Sequence, residues 1–470
     1  MSKGGLKIGW CPPGVDGTKQ GVDDLLARGA AVEDLEHYLK TFGGTEGISR
    51  DKPILAKEAY YGLAGKIVNQ ILPETEADPA ALLSSLLIYC GCYIGRDEPY
   101  GAFFKVEGKR HYCKEYTVLV GKTAKGRKGV SQGRIEELVK NVDPNFMANN
   151  RASGLSSGEG LIYRVRNEVS RKNKEGEKEL VDEGVDDKRL LVTESEFAST
   201  LTVMRREGNT LKDVIRNGWD DEILGTMTRN NSMKSTGSHI SIIGHITESE
   251  LKKHLTEEKL GGGIANRFLF MMVHRSKMLP HGGDPDPVNP KTKKRLMEAL
   301  QFGKEAGEIK LSEEPEEDHG GISANDLWCD VYGGLTEGET GLLGSVINRG
   351  EVHVRRIATI YAVLDKSKTV KVDHLLAGLA VWQYAEDSSR IIFGKLTGDP
   401  VADAIEEELR LMDEEGLSKT EISSIFGRNY PAKRINAALG SLMEQKKITM
   451  KKEKGEGPGA PKTRFYHAQV

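Results

Sequence analysis

Cysteine is scarce in this chain of 470 residues, and its spacing does not suit a metal site. There is no Cys-x-x-Cys pair, and the five cysteines stand at positions 11, 90, 92, 113 and 329. This pattern argues against bound zinc. Cys90 and Cys92 fall in an apolar stretch, so we expect buried thiols in a reducing compartment.

Long apolar runs are absent as well. No apolar segment reaches the roughly 18 residues that a membrane-spanning helix requires, and the N-terminus shows no secretory signal pattern. The sequence therefore predicts a soluble, cytoplasmic protein with no membrane partner.

A strong excess of one charge is the third absence. The chain has 67 basic and 70 acidic residues, and its formal net charge is -3. The whole molecule is not a polycation, so any contact with nucleic acid has to come from local basic patches. At roughly 150 residues per domain, the length predicts about three domains.

A basic loop punctuated by glycines follows the apolar run 118–120 and spans residues 121–131, with the sequence GKTAKGRKGVS. Glycines let the backbone curl around an anion, and the next helix contributes its positive end. The alternative is a basic surface turn. The predicted ATP-binding residues are Gly121, Thr123, Ala124, Lys125, Gly126, Arg127, Lys128, Gly129, Val130 and Ser131.

The loop departs from the usual P-loop pattern, in which lysine follows the second glycine and a Ser or Thr follows the lysine. Arg127 intervenes here, so either Arg127 takes the lysine position or the loop is one residue longer and Lys128 takes it. We favour Lys128 as the group on the β- and γ-phosphates. Ser131 is then the nearest hydroxyl for Mg²⁺.

Acidic residues follow the four apolar or neutral residues 190–193. Glu194 and Glu196 are two residues apart and would point to the same side of an extended chain. We predict that Glu194 binds Mg²⁺ together with Ser131, and that Glu196 orients the attacking water. Glu159, in a glycine-rich turn, is the alternative for that second role. The competing interpretation is a surface carboxylate pair.

Two further polar residues adjoin apolar strands. His245 follows the run 240–243 and is predicted to sense the nucleotide, although a lone histidine is often structural. Arg267 stands between a glycine loop and an apolar strand. It is predicted to reach a neighbouring subunit's phosphate, which would require an oligomer. The alternative is an arginine that caps backbone carbonyls.

The order of apolar runs and helical patterns predicts an α/β fold with a parallel sheet, whose ligands bind at the carboxyl ends of the strands. Helices are expected at 53–72, 80–94 and 131–142, and a solvated hairpin at 171–179. Helical periodicity dominates residues 291–394.

The C-terminal stretch predicts helices at 401–411, 419–426 and 432–445, then a basic hairpin at 447–466. Three helices and a basic hairpin suggest a winged helix-turn-helix, for DNA or for protein contact. A polar basic loop at 228–236 is a second candidate DNA surface. The predicted DNA-binding residues are Arg229, Lys234, Arg428, Lys433, Arg434, Lys451 and Lys452.

Five motifs together resemble a family. Residues 116–403 are similar to P-loop ATPases of phages and mobile elements that are related to RecA-like hexameric replicative helicases. The motifs are TAKGRKG at 123–129, GLSSGEGL at 154–161, REGNTL at 206–211, HISIIGHIT at 239–247 and ANRFL at 265–269. Relatives carry threonine where this chain has Val130. The resemblance implies ATP-driven translocation on single-stranded DNA, with ATP and Mg²⁺, by a ring-shaped homo-oligomer.

Three domains and the tail of a fourth are therefore expected. Residues 1–45 resemble the tail of a TOPRIM-like domain, 52–290 a RecA-like P-loop ATPase core, 291–398 a helical extension and 399–470 a winged helix. The predicted function is a helicase or translocase in the replication of a phage, plasmid or other mobile element. The rivals are a replication initiator that binds duplex DNA without turnover, and an accessory protein of a primase partner.

Overall fold

A computed structural model describes residues 52–96, 101–122, 126–174, 176–226, 233–254, 263–339, 341–394, 397, 399–412, 415–427, 429–453 and 462–468. The predicted TOPRIM-like tail at 1–45 lies outside these residues, so that prediction stays untested.

The described residues form short and long strands in six sheets. The strands are β1 (Phe103–Val106), β2 (Lys109–Tyr112), β3 (Tyr116–Gly121), β4 (Arg151–Ala152), β5 (Val169–Lys172), β6 (Lys178–Asp182), β7 (Arg189–Glu194), β8 (Leu224–Gly225), β9 (Lys234–Ser235), β10 (His239–Thr247), β11 (Phe268–Val273), β12 (Lys310–Leu311), β13 (Thr369–Val370), β14 (Leu417–Ser418), β15 (Ile448–Glu453) and β16 (Lys462–His467).

Helices cover most of the rest. They are α1 (Gly62–Ile71), α2 (Pro79–Ile94), α3 (Lys128–Val142), α4 (Pro144–Asn149), α5 (Gly158–Tyr163), α6 (Phe197–Val203), α7 (Leu211–Trp219), α8 (Glu248–His254), α9 (Pro290–Lys304), α10 (Ala324–Thr336), α11 (Gly341–Ile347), α12 (Gly350–Leu364), α13 (Val372–Phe393), α14 (Pro400–Leu411), α15 (Lys419–Ile425) and α16 (Ala432–Glu444).

A parallel five-stranded sheet lies at the centre, in the order β11-β3-β10-β7-β4. All residues of β3 and β11 are buried, and so is β10 up to its last residue. Parallel strands that are covered on both faces read as continuous apolar runs, which is why the sequence pattern found them. The predicted α/β class with a parallel sheet is confirmed.

The first helices of the described chain differ from expectation in one place. α2 is apolar on all sides and fully buried after its first residue, as predicted, and Asp78 caps its start. The expectation of a single helix at 53–72 is wrong. A 3-10 turn, Lys57–Tyr60, comes first, and Tyr61 has an extended backbone that separates the turn from α1.

A helical layer follows the sheet in sequence, as expected, with the two-residue pair β12–β13 inside it. α13 packs along α12 and also against β11, where the Tyr384 hydroxyl donates to the carbonyl of Met272. Along the part of the chain that the structure describes, no helix combines the length and apolar character that crossing a bilayer requires.

The C-terminal segment forms a unit with its own apolar core. α14, α15 and α16 lie within a few residues of their predicted positions, and β14-β16-β15 form an antiparallel sheet. Leu409, Leu439 and Phe465 are among the buried residues of this core, which is separate from the core around the central sheet. The predicted solvated hairpin is also present, as β5 and β6.

Candidate functional site

The glycine-punctuated loop lies at the carboxyl edge of the central sheet. β3 ends at Gly121, and α3 begins at Lys128. Arg127 stands before the helix in a left-handed conformation, with a φ of 56°. Its carbonyl accepts the first backbone hydrogen bonds of the helix. Thr123, Ala124 and Lys125 fall outside the described residues.

A cavity of about 360 Å³ opens beside this loop. That volume lies within the range of ligand pockets, roughly 300–1,000 Å³. The described residues that line it are Arg127, Lys128, Gly129, Val130, Ser195 and His245. The start of α3 and the ends of two strands therefore meet around one space.

The two cations left open by the sequence both line the cavity. Arg127 Nε lies 2.6 Å from Glu76 Oε2, and the Arg127 side chain is 43% exposed. Lys128 is half-buried in the cavity wall. Burial lowers the pKa of Lys128, and the nearby carboxylate of Glu250 acts in the opposite direction. The structure therefore brings both candidates to one cavity, and the choice of Lys128 as the lysine of a phosphate site stays a prediction.

The other loop residues have different environments. Gly126 sits close to the sheet, because a Cβ there would lie 3.6 Å from Gly121 Cα. Gly129 and Val130 form part of the cavity wall. Ser131 does not, and its hydroxyl is fully buried and donates to the carbonyl of Lys128 at 2.7 Å. The hydroxyl oxygen keeps its lone pairs, so the prediction of Ser131 as a metal ligand stays a prediction.

Glu194 ends β7 and is buried. Its Oε1 accepts hydrogen bonds from the backbone N–H groups of Gly154 and Leu155, at 2.6 and 2.8 Å. One carboxylate oxygen thus fixes the segment after β4. In the sheet register Glu194 lies beside Gly244 of β10, the residue before His245.

The two other predicted carboxylates do not join Glu194. β7 stops at Glu194 and the chain turns, so the extended geometry assumed for Glu196 is wrong, and Glu196 is exposed at the start of α6. Glu159 accepts a hydrogen bond from the Thr210 hydroxyl at 2.9 Å. That contact gives Glu159 a role in joining α5 to the residue before α7.

His245 lies in β10 and lines the cavity. Only 4% of the residue is exposed, and its Nε2 is buried without a hydrogen-bond partner among the described residues. Burial, together with the charge of Lys128, lowers the pKa of His245 to about 4. The imidazole is therefore neutral at neutral pH.

Arg267 lies at the opposite edge of the sheet. It immediately precedes β11, whose other end, Val273, is the residue beside Gly121. Arg267 is 4% exposed, pairs with Asp220 and donates to the carbonyl of Gly263. The expectation that it reaches a neighbouring subunit is wrong, because the side chain is buried within its own chain. Its capping of a carbonyl matches the alternative.

Arg267 belongs to a buried group of charges at that amino edge. Lys114 Nζ lies 2.6 Å from Asp221, and Arg356 is 3.6 Å from the same carboxylate. Burial alone would raise the pKa of Asp221, but the charges of Lys114 and Arg356 outweigh it and lower the pKa. This network attaches α12 to the sheet.

The predicted DNA-binding residues divide into three groups. Arg229 and Arg428 fall outside the described residues. Lys234 is exposed on β9, while Lys433, Lys451 and Lys452 are exposed on the C-terminal unit. Arg434 instead pairs through both terminal nitrogens with Asp399. The guanidinium of Arg434 is therefore held by a carboxylate of its own chain.

Sequence reasoning missed three sets of contacts at the edge that holds the cavity. Glu76 pairs with Arg127 across a long sequence separation that no local pattern reveals. Thr247 and Glu250 exchange hydrogen bonds as a capping box at the start of α8, and the pattern T-x-x-E would have indicated it. Arg151 lies 2.9 Å from Glu136 of α3 and donates to Thr193 at 3.2 Å.

The arrangement suits a phosphate-bearing ligand. A helix start, a lysine and a buried, unpartnered imidazole nitrogen share one cavity, and each can stabilise an anion. Among the described residues, no three His, Cys, Asp or Glu side chains cluster so as to hold a metal by themselves. Comparison with models of known protein families and with curated proteins found no match for this chain.

Proposed function

We propose that the protein is a P-loop ATPase that binds the phosphates of ATP in the cavity at the start of α3. The observation that carries the proposal is that Lys128 and His245, from different elements, line one cavity beside the glycine loop. Phosphate binding needs backbone N–H groups, a cation and room for the ligand, and the start of α3, Lys128 and the cavity support this assignment.

The strand order supports a RecA-like core. Numbered along the chain, the five central strands lie in the order fifth, first, fourth, third, second. The loop follows the first strand, Glu194 ends the third, and His245 stands on the fourth, which lies between them. Ligands of open parallel α/β sheets bind at the carboxyl ends of the strands, which is where the loop, Glu194 and His245 lie.

The proposal gives Lys128, His245 and Glu194 separate roles. Lys128 neutralises charge on the β- and γ-phosphates, and neutral His245 donates or accepts a hydrogen bond there. Glu194 offers its second carboxylate oxygen while its first stays on the amides of Gly154 and Leu155. Mg²⁺, when bound with ATP, would neutralise phosphate charge, and Glu194 is the acid that would face it.

The proposed biological role is that of a helicase or DNA translocase in the replication of a mobile element. The C-terminal unit, with three helices and a small antiparallel sheet that carries exposed lysines, supports a winged helix that binds DNA. A ring of subunits rests on the family resemblance alone, because Arg267 is not available to complete a neighbour's site.

ATP hydrolysis with and without single-stranded DNA tests the proposal. Lys128→Ala removes the phosphate cation, and Glu194→Gln keeps an oxygen for the two backbone amides while it removes the charge. We expect each variant to lower turnover by about 100-fold, as when one transition-state contact is lost. Glu194→Gln is expected to retain ATP binding.

Lys140→Ala is the matched control, because this exposed lysine lies near the far end of the same helix. It should hydrolyse ATP at the wild-type rate. Unchanged turnover in Lys128→Ala, with the fold intact by circular dichroism, would overturn the assignment of the site.

The second candidate is a replication initiator that binds nucleotide without turnover. Two observations favour it: Glu194 already accepts hydrogen bonds from two backbone amides, and the Ser131 side chain is fully buried. The same assay separates the two functions. ATP binding without hydrolysis, together with sequence-specific binding of duplex DNA, would favour the initiator.

A further inference from the structure

Glu76 lies between two arginines beside the cavity. Its Oε2 is 2.6 Å from Arg127 Nε, and its Oε1 accepts hydrogen bonds from Arg275 and from the backbone N–H of Leu279, the latter at 2.7 Å. Only 8% of Glu76 is exposed. Both oxygens of a largely buried carboxylate are therefore held by donors from different segments.

The charge state of Glu76 suits this role. Hydrogen bonds from Arg275 and from the amide of Leu279, together with the charges of Arg127 and Arg275, lower the pKa of Glu76 to about 2, against the opposing effect of burial. The carboxylate is therefore ionised throughout the physiological range. It provides a fixed negative charge for a guanidinium to hold.

Arg127 connects this carboxylate to the cavity. Its side chain is 43% exposed and contributes to the cavity wall, while its Nε points at Glu76. A guanidinium carries five N–H donors in a rigid plane, so contact through Nε uses one of them. The two terminal nitrogens have the fork geometry that matches phosphate oxygens.

We propose that Arg127 is a second phosphate-binding cation beside Lys128, and that Glu76, clamped by Arg275 and Leu279, is the positioning residue that orients it. The inference rests on the proposed nucleotide site and adds to it a second cation and the residue that positions that cation. Two adjacent cations, one a point charge and the other a fork, suit a nucleoside di- or triphosphate.

Titration calorimetry with ATP tests this on the full chain. Arg127→Ala and Glu76→Gln should each weaken ATP binding by about ten-fold. The double variant should bind no more weakly than Arg127→Ala, because Glu76 acts through Arg127. Arg275→Ala, which loosens the other side of the clamp, should weaken binding in the same direction. It serves as a second variant if Glu76→Gln does not fold.

Glu308→Gln is the matched control, since Glu308 pairs with Lys105 at 2.8 Å in a similar carboxylate–cation contact. It should bind ATP as the wild type does. Multiplied losses in the double variant, about 100-fold, would show that Glu76 does not act through Arg127. Full affinity in Arg127→Ala, with binding lost in Lys128→Ala, would overturn this inference alone. No ATP binding by the wild type would overturn it together with the proposed site.

Discussion

His245 is a neutral imidazole beside a lysine, and its lowered pKa should make the stability of the protein depend on pH. The folded pKa of about 4 lies below the ordinary histidine value of 6.5, because burial and Lys128 both disfavour the charged form. Between these two values the unfolded chain binds a proton that the folded chain does not. The contribution of His245 to stability is therefore fully present above pH 6.5 and is lost as the pH falls towards 4.

His245→Gln removes this titration and should flatten the pH dependence of unfolding. We expect the difference in unfolding free energy between wild type and variant to change by up to about 3 kcal/mol between pH 8 and pH 4, in the direction that favours the variant at low pH. Urea unfolding at several pH values measures it. The pH 8 value gives the cost of the substitution itself, and an identical pH profile for both proteins would contradict the assigned environment.

At the scale of elements, two glycines close to the cavity have opposite roles. Gly244 lies in β10 against α6, where a Cβ would stand 2.7 Å from the ring of Phe197. The close approach of strand and helix therefore depends on the missing side chain. Gly133 lies in α3 with open space around it. There the glycine only costs backbone entropy.

Substitution by alanine should separate these roles. Gly244→Ala should destabilise the protein by about 1–3 kcal/mol, because overpacking forces strand and helix apart. Gly133→Ala should stabilise it by about 0.5–1 kcal/mol. Thermal unfolding compares them, and adding Phe197→Leu to Gly244→Ala should recover part of the loss. Equal stability of Gly244→Ala and wild type would contradict the described contact.

The strands of the central sheet show which parts of the fold could be predicted from the sequence. β3, β7 and β10 could be predicted because each is an apolar run bounded by polar residues. Their order across the sheet could not, because it depends on contacts between distant segments. Arg267 was misplaced for a related reason. A residue that precedes a parallel strand lies at its amino edge, whereas the cavity is at the carboxyl edge.

In the candidate site, too, residues next to recognisable strands could be predicted, and contacts between distant segments could not. Lys128 and His245 adjoin recognisable strands, and the structure brings both to one cavity. Glu76 precedes the loop by about fifty residues, so nothing in the local sequence pairs it with Arg127. The turn after β7, which separates Glu196 from Glu194, is likewise set by the start of α6 and not by the strand pattern.

For the whole molecule, the net charge is close to zero, but basic residues are concentrated in the C-terminal segment. Residues 428–470 contain ten Lys and Arg but only three Asp and Glu. Within the C-terminal unit, Lys451 and Lys452 are exposed on β15, and Lys451 Nζ stands 5.0 Å from the ring centre of Tyr466. An exposed basic strand next to a helical unit is the kind of surface that contacts a phosphate backbone.

Reversal of this charge should separate DNA binding from ATP hydrolysis. Lys451→Glu with Lys452→Glu should weaken binding to duplex DNA by at least ten-fold at moderate salt and reduce the salt dependence of the binding constant, because two phosphate contacts are lost. ATP hydrolysis without DNA should be unchanged, since the C-terminal unit has its own core. Fluorescence anisotropy across a salt series measures the loss of DNA binding.

The control, Lys291→Glu with Lys294→Glu, makes the same charge change on exposed positions of α9. Equal losses in both double variants would show that only net charge matters and that the C-terminal unit is not the DNA-binding surface.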